Sequence, residues 1–149
     1  MISGFPIFAH RLDEAETKNE DEPRQGFEQT DVKIRIKVAD KVILATVADN
    51  ETARDFVSVL PLQMSMNDLF GREKYGDLPK ALSEKGPRQK RYEVGDVAYW
   101  SPDRQFAIYY HQDGESIPSP GIIPIARIDA GTEAFNVPGS LKVTIELAK

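Results

Sequence analysis

Asp31-Val32-Lys33-Ile34-Arg35-Ile36-Lys37-Val38 is the stretch whose reading decides the fold. Val32, Ile34, Ile36 and Val38 alternate with Lys33, Arg35 and Lys37, so an extended chain here is apolar on one side and charged on the other. Successive side chains of a strand point to opposite faces, whereas a helix would mix the two sets; the period of two predicts a half-buried strand. Ala39-Asp40 reads as a turn, and Lys41-Val42-Ile43-Leu44-Ala45-Thr46-Val47 as a returning, more buried strand. The far end of the chain repeats the rhythm: Leu141, Val143, Ile145 and Leu147 alternate with Lys142, Thr144 and Glu146.

Between these ends the pattern changes once. Ala53, Phe56, Val57 and Leu60 stand at helical spacing, Asn50 or Thr52 can cap the segment, and Pro61 stops it. Leu62–Asn67 returns to alternation. Residues 71–93 carry many charges and turn residues (Gly71, Gly76, Pro79, Gly86, Pro87) and are expected to form an excursion with a short helical turn near Leu78–Leu82. Val94–Trp100 and Gln105–His111 read as a hairpin joined by Ser101-Pro102-Asp103-Arg104. The loop Gln112–Gly121, a strand Ile122–Ile128 and a helical turn Gly131–Phe135 complete the order. Seven or eight short strands with one or two short helices favour a closed barrel or sandwich over a parallel α/β sheet.

The chain of 149 residues, 40% hydrophobic, suffices for one core. Of its 19 basic and 24 acidic residues, three basic and seven acidic fall in 1–30, which leaves 16 and 17 in 31–149. Residues 1–30 are therefore expected to be a flexible acidic arm before a single domain at 31–149. A nearly neutral body lacks the field that draws a nucleic acid backbone, so no nucleic-acid partner is expected. With no cysteine, neither disulfides nor Cys-bound zinc can form, and two distant histidines offer no metal site. Met1–His10 is apolar but has no basic n-region and is broken by Pro6, and no run reaches the roughly 20 apolar residues of a membrane span. A cytoplasmic protein without membrane partner, metal or cofactor is the expectation.

A series of short motifs then carries a resemblance. Thr52-Ala53-Arg54-Asp55-Phe56, Leu60-Pro61-Leu62, Asp77-Leu78-Pro79, Gly95-Asp96-Val97-Ala98-Tyr99-Trp100-Ser101-Pro102, Ala107-Ile108-Tyr109-Tyr110, Ala126-Arg127-Ile128-Asp129-Ala130-Gly131 and Val143-Thr144-Ile145-Glu146 follow one another in this order. The series resembles the bacterial cyclophilin-like domain family, related in fold to the cyclophilin peptidyl-prolyl isomerases. The resemblance implies a mainly β fold, a closed barrel of about eight strands with short helices over its ends. It implies little chemistry, because fold does not carry function. The isomerases use an arginine in a Phe-His-Arg stretch, which is missing here, so no catalytic position is transferred and an enzymatic role is left undecided.

Candidate site residues come from the aromatic hairpin and from charges in apolar surroundings. Tyr99, Trp100, Phe106, Tyr109 and Tyr110 cluster there, with His111 at the end. Such rings can simply pack across a sheet, or they can floor a site for a proline ring, a peptide or a flat small molecule. Trp100, Tyr110 and His111 combine a large surface with a polar tip. Arg54 flanks the helical stripe and Arg127 interrupts an apolar strand; each fits either an ion pair or an anion clamp. The expected function is a small-molecule or peptide binding module centred on Arg54, Trp100, Tyr110, His111 and Arg127. A divergent prolyl isomerase and a structural protein-interaction domain are the alternatives.

Overall fold

The computed structural model describes residues 28–148, so all but the end of the predicted acidic arm lies outside the described residues. Eight strands run β1 Gln29–Val38, β2 Lys41–Ala48, β3 Leu62–Leu69, β4 Glu73–Asp77, β5 Asp96–Trp100, β6 Gln105–Tyr109, β7 Ile123–Ile128 and β8 Leu141–Leu147. They close into a barrel in the order β1-β2-β7-β5-β6-β4-β3-β8, and every neighbouring pair is antiparallel. Closure removes the sheet edges that an open β layer would expose. Among the described residues no helix is long and apolar enough to cross a membrane.

The period of two is realised as inside and outside. Ile34, Ile36 and Val38 of β1 and Val143 and Ile145 of β8 are buried in one core with Ile43, Ala45 and Val47 of β2. Where the β1–β2 register shifts between Gln29 and Lys33, and at the last residue of β8, the alternation loses its meaning: Val32 and Leu147 are both 39% exposed. The apolar run of β2 is likewise only half inside, since Val42 and Leu44 face out beside Lys37 and Arg35.

Among the described residues a single α-helix, α1, spans Glu51–Ser58. Asn50 is its cap: the side-chain oxygen accepts the Ala53 N–H at 2.8 Å while the amide nitrogen donates to Pro124 O at 2.9 Å. Thr52, the other capping candidate, instead donates to Ser83 O at 2.7 Å and accepts the Gly86 N–H at 3.1 Å, tying the helix to the chain beyond β4. Ala53 and Phe56 enter the barrel core, where the Phe56 ring stacks on Phe106 at 5.0 Å. Two short 3-10 turns, Ser101–Asp103 and Thr132–Phe135, stand where the turn chemistry placed them.

Residues 71–93 depart from expectation. Arg72, Glu73 and Lys74 are buried, and β4 is a full member of the barrel between β3 and β6. A run of charges reads as solvated surface, but charges can be buried when each meets a partner. Here Arg72 pairs with Glu73, and Lys74 Nζ donates to the carbonyls of Val137 at 2.6 Å and Gly139 at 2.7 Å. The helical turn expected near Leu78–Leu82 does not form. The Leu78 N–H donates to Arg104 O at 2.9 Å and the Leu82 N–H to the Tyr99 hydroxyl at 3.1 Å, so both groups are satisfied by the barrel rather than by a local turn.

Outside the barrel a second, smaller apolar cluster gathers Tyr92, Ala98, Ala107, Tyr109, Ile117 and Ile122. Two segments build it by crossing the outer face of β5 and β6. Gln89 and Ile122 exchange backbone hydrogen bonds of 2.8 Å, and Ile117 N–H donates to Lys90 O at 2.7 Å. Gly121 makes the crossing possible: its φ is +85°, and a Cβ there would stand 2.6 Å from Gln89 O.

Candidate functional site

The outer face of β4, β6 and β5 reads as three rows of cross-strand neighbours. Glu73 pairs with Tyr109, Tyr75 with Ala107 and then Ala98, and Asp77 with Gln105 and then Trp100. The middle row holds two alanines beside larger neighbours, so the sheet is shallow there and the rings around it stand proud. A depression of about 330 Å³ results, with Ala107 at its base, Tyr75, Tyr109 and Trp100 around it, and Phe70 at its lip. Ile117 and Pro118 of the crossing loop form part of the rim. That volume lies at the small end of ligand pockets.

Beneath one wall lies a buried polar assembly. Arg72 Nε donates to Glu73 Oε2 at 3.0 Å, and Arg72 also lies 3.6 Å from Asp113. Its guanidinium sits 5.3 Å from the ring centre of Phe70, 5.5 Å from that of Tyr92 and 5.8 Å from that of Tyr109. Tyr92 and Tyr109 stack on each other at 4.4 Å. The Tyr92 hydroxyl lies 2.8 Å from His111 O and 3.0 Å from Asp113 Oδ1 and accepts the Asp113 N–H at 2.9 Å. Burial raises the Glu73 carboxyl above its ordinary 4.5, with Arg72 opposing. Burial also raises Tyr109, helped by the neighbouring Glu73 charge, so its phenol stays protonated and hydrogen-bonds that carboxylate. The Glu115 N–H holds the Asp113 carboxylate below 3.8, with the Tyr92 hydrogen bond and Arg72 acting in the same sense.

Phe70 is the exception to economy in this region. It is 74% exposed and has a φ of 59°, a left-handed conformation that bulky L residues rarely adopt. With Gly71 at φ 62° and the Arg72 N–H donating to Leu69 O at 3.1 Å, the tip of the β3–β4 hairpin carries the φ signature of a type I′ turn. Asn, not Phe, is the residue that such a turn favours beside glycine.

The five candidates chosen from sequence do not share one concavity. Trp100 borders the depression, half-buried, with Nε1 donating to Asp103 Oδ2 at 3.3 Å. Tyr110 faces the barrel interior: its hydroxyl donates to Asp68, Lys74 Nζ lies 5.6 Å from its ring centre, and burial with the Asp68 hydrogen bond pushes its phenol up to about 12. His111 is exposed and is held through its backbone, by Arg72 O and the Tyr92 hydroxyl. Arg127 lies on the outer face of β7, 2.6 Å from the buried Asp96 and 3.2 Å from Glu93. Arg54 meets Asp49 at 3.0 Å on open surface. Arg72, Glu73 and Tyr75, which the sequence reading assigned to the excursion, border the depression instead, together with Phe70, which it assigned to no element. The signal available for them was the Leu69-Phe70-Gly71 tip, an aromatic beside a turn glycine.

A closed eight-stranded antiparallel barrel with one short helix packed into its core is the architecture of a cyclophilin-like protein. The chain belongs to the cyclophilin-like family, whose family model matches residues 36–146. Among solved structures it is similar to the solution structure of a hypothetical protein from Archaeoglobus fulgidus, at 22% identity and a TM-score of 0.65. The likeness covers 83% of this chain and 100% of that one, and it speaks for the fold alone. No curated protein matches the chain.

Proposed function

We propose that the protein is a binding module whose ligand, a small molecule or a peptide side chain, enters the outer-face depression between Phe70 and Trp100. The observation that carries this reading is Phe70. Holding a bulky residue in the left-handed region costs about 1–2 kcal/mol, and leaving its ring in water forgoes the gain of burial. Strained residues of this kind concentrate at functional sites, where the surroundings maintain them. Trp100 and Tyr75 add aromatic surface, and Asp103 and Gln105 add polar groups at the rim. An apolar hollow with a few converging polar groups is the general form of a ligand pocket. Arg54 and Arg127 remain with their own carboxylates in this reading and contribute nothing to the ligand.

The test is chemical-shift mapping of the full chain against panels of metabolites and short peptides, neutral proline peptides included. Shifts are expected at Phe70, Tyr75, Trp100 and Gln105. A panel that leaves all four unmoved, or that moves only distant residues, removes this site.

A further inference from the structure

We infer that the group taken by this depression is an organic cation, an alkylammonium or guanidinium on a short stem. The inference rests on the binding reading above and names its ligand class. Three observations lead to it.

The first is charge. The lining holds two carboxylates, Glu73 and Asp103, and one cation, Arg72. Arg72 is only 5% exposed, stands 2.9 Å from Glu73 and 3.6 Å from Asp113, and is covered by rings. It is thus neutralised inside the wall and offers no anchor to an anion. Asp103, exposed on the 3-10 turn after β5, is left unbalanced within the lining. Arg88 donates to Ser101 of that turn at 3.2 Å but is itself held by Glu84 at 2.6 Å, and Arg104, the exposed residue next to Asp103, is not part of the lining.

The second is the rings. Phe70, Tyr92 and Tyr109 already surround a guanidinium, which shows that this wall tolerates a cation against aromatic faces. Trp100 and Tyr75 face the same hollow, and tryptophan is the best cation–π partner. The third is the Trp100–Asp103 hydrogen bond, which places a carboxylate at the edge of that indole. Ring face and carboxylate together match a cation that is both apolar in its skirt and positive at its centre, as quaternary ammonium and alkylated amines are. A free amine and a lysine side chain of a peptide share this chemistry.

Trp100 is the chain's sole tryptophan, so its fluorescence reports the site directly. The experiment titrates the full chain with choline, with its neutral isostere 3,3-dimethylbutan-1-ol, with N-acetyl-lysine N-methylamide and with N-acetyl-Ala-Pro N-methylamide. Choline or the lysine amide is expected to bind about tenfold more tightly than the neutral isostere. Preference for choline identifies a free amine, and preference for the lysine amide a peptide side chain. Asp103→Asn, an exposed change that the barrel does not depend on, is expected to weaken the cation about fivefold and leave the isostere unchanged. If the isostere or the proline amide binds as well as the cations, or if Asp103→Asn affects all probes equally, the cation inference falls while the binding module stands. If no probe moves Trp100, the cation inference falls, and the chemical-shift panel decides the binding module separately.

Discussion

The barrel interior and the cluster on its outer face share strands β5 and β6 and obey different rules. Inward from β5 and β6 come Val97, Tyr99, Phe106, Ile108 and Tyr110, joined by aliphatic residues from the other strands and by Phe56 of the helix. Outward from the same strands come Ala98, Trp100, Ala107 and Tyr109, roofed by only two chain segments and interleaved with Arg72 and Glu73. The interior is one continuous cluster of buried apolar side chains, and it holds the fold. The outer cluster pairs small residues with large rings around a buried ion pair, and there the packing stops short and leaves a hollow. One side of a sheet supplies stability and the other supplies a surface for recognition.

The largest effect that separates the two regions is expected from Phe106→Ala. It removes a fully buried ring stacked on Phe56 and should destabilise the domain by about 4 kcal/mol in chemical denaturation. A loss below about 1 kcal/mol would mean that the interior is not the element that holds the barrel.

Arg72→Met comes next, at about 3 kcal/mol, because it strands the Glu73 carboxylate in an apolar wall. Arg72→Met/Glu73→Leu should recover most of that loss; failure to recover would make Arg72 a packing residue rather than half of a pair. Glu73 also gives a pH signature. Its folded value is raised above 4.5, so the folded state holds the proton more tightly than the unfolded chain. Its contribution is complete below about 4.5 and is lost as pH rises through the folded value. Glu73→Gln should therefore flatten the decline of stability as pH rises above 4.5, measured by denaturation at a series of pH values. The acid limb below that window belongs to other groups. Burial pushes Asp68 up, but hydrogen bonds from Tyr110, Lys74 and the Gly71 N–H outweigh it and keep the carboxyl below 3.8.

Phe70→Asn sharpens the contrast most directly, although its effect on stability is small. Asn suits the left-handed turn, so the variant should gain about 0.5–1 kcal/mol while losing ligand shifts at the depression. A variant that gains stability and still binds would take Phe70 out of the site. Arg54→Ala should be the smallest change, within about 0.5 kcal/mol by thermal or chemical denaturation, since both partners of its ion pair are more than half exposed.

The period of two in residues 32–38 and 141–147 was enough to predict strands and their faces, because alternation of apolar and charged side chains is a local consequence of extended backbone; the strand count left a barrel or a sandwich, and only the family resemblance implied closure. The helix and its stop at Pro61 were equally legible. The reading stopped at β4, where Arg72-Glu73-Lys74 looked like solvated charge. A charged residue declares its burial only through partners, and these came from Asp113, 41 positions on, and from the carbonyls of 137 and 139. The grouping of Trp100 with Tyr110 turned on register in the same way. Val97 stands opposite Ile108 and Tyr99 opposite Phe106, which sends Tyr110 inward and Trp100 outward.

By itself, then, the chain's pattern of greasy and charged positions determined that short strands with one buried and one wet face would wrap a shared core, leaving barrel and sandwich both open. Which outward residues would meet was decided only when β4, β5 and β6 lay side by side and the 87–93 and 111–121 segments crossed them. Solvent preference is a property each side chain carries along the sequence, whereas a pocket is a relation among residues far apart in it, and strand order and register alone set that relation.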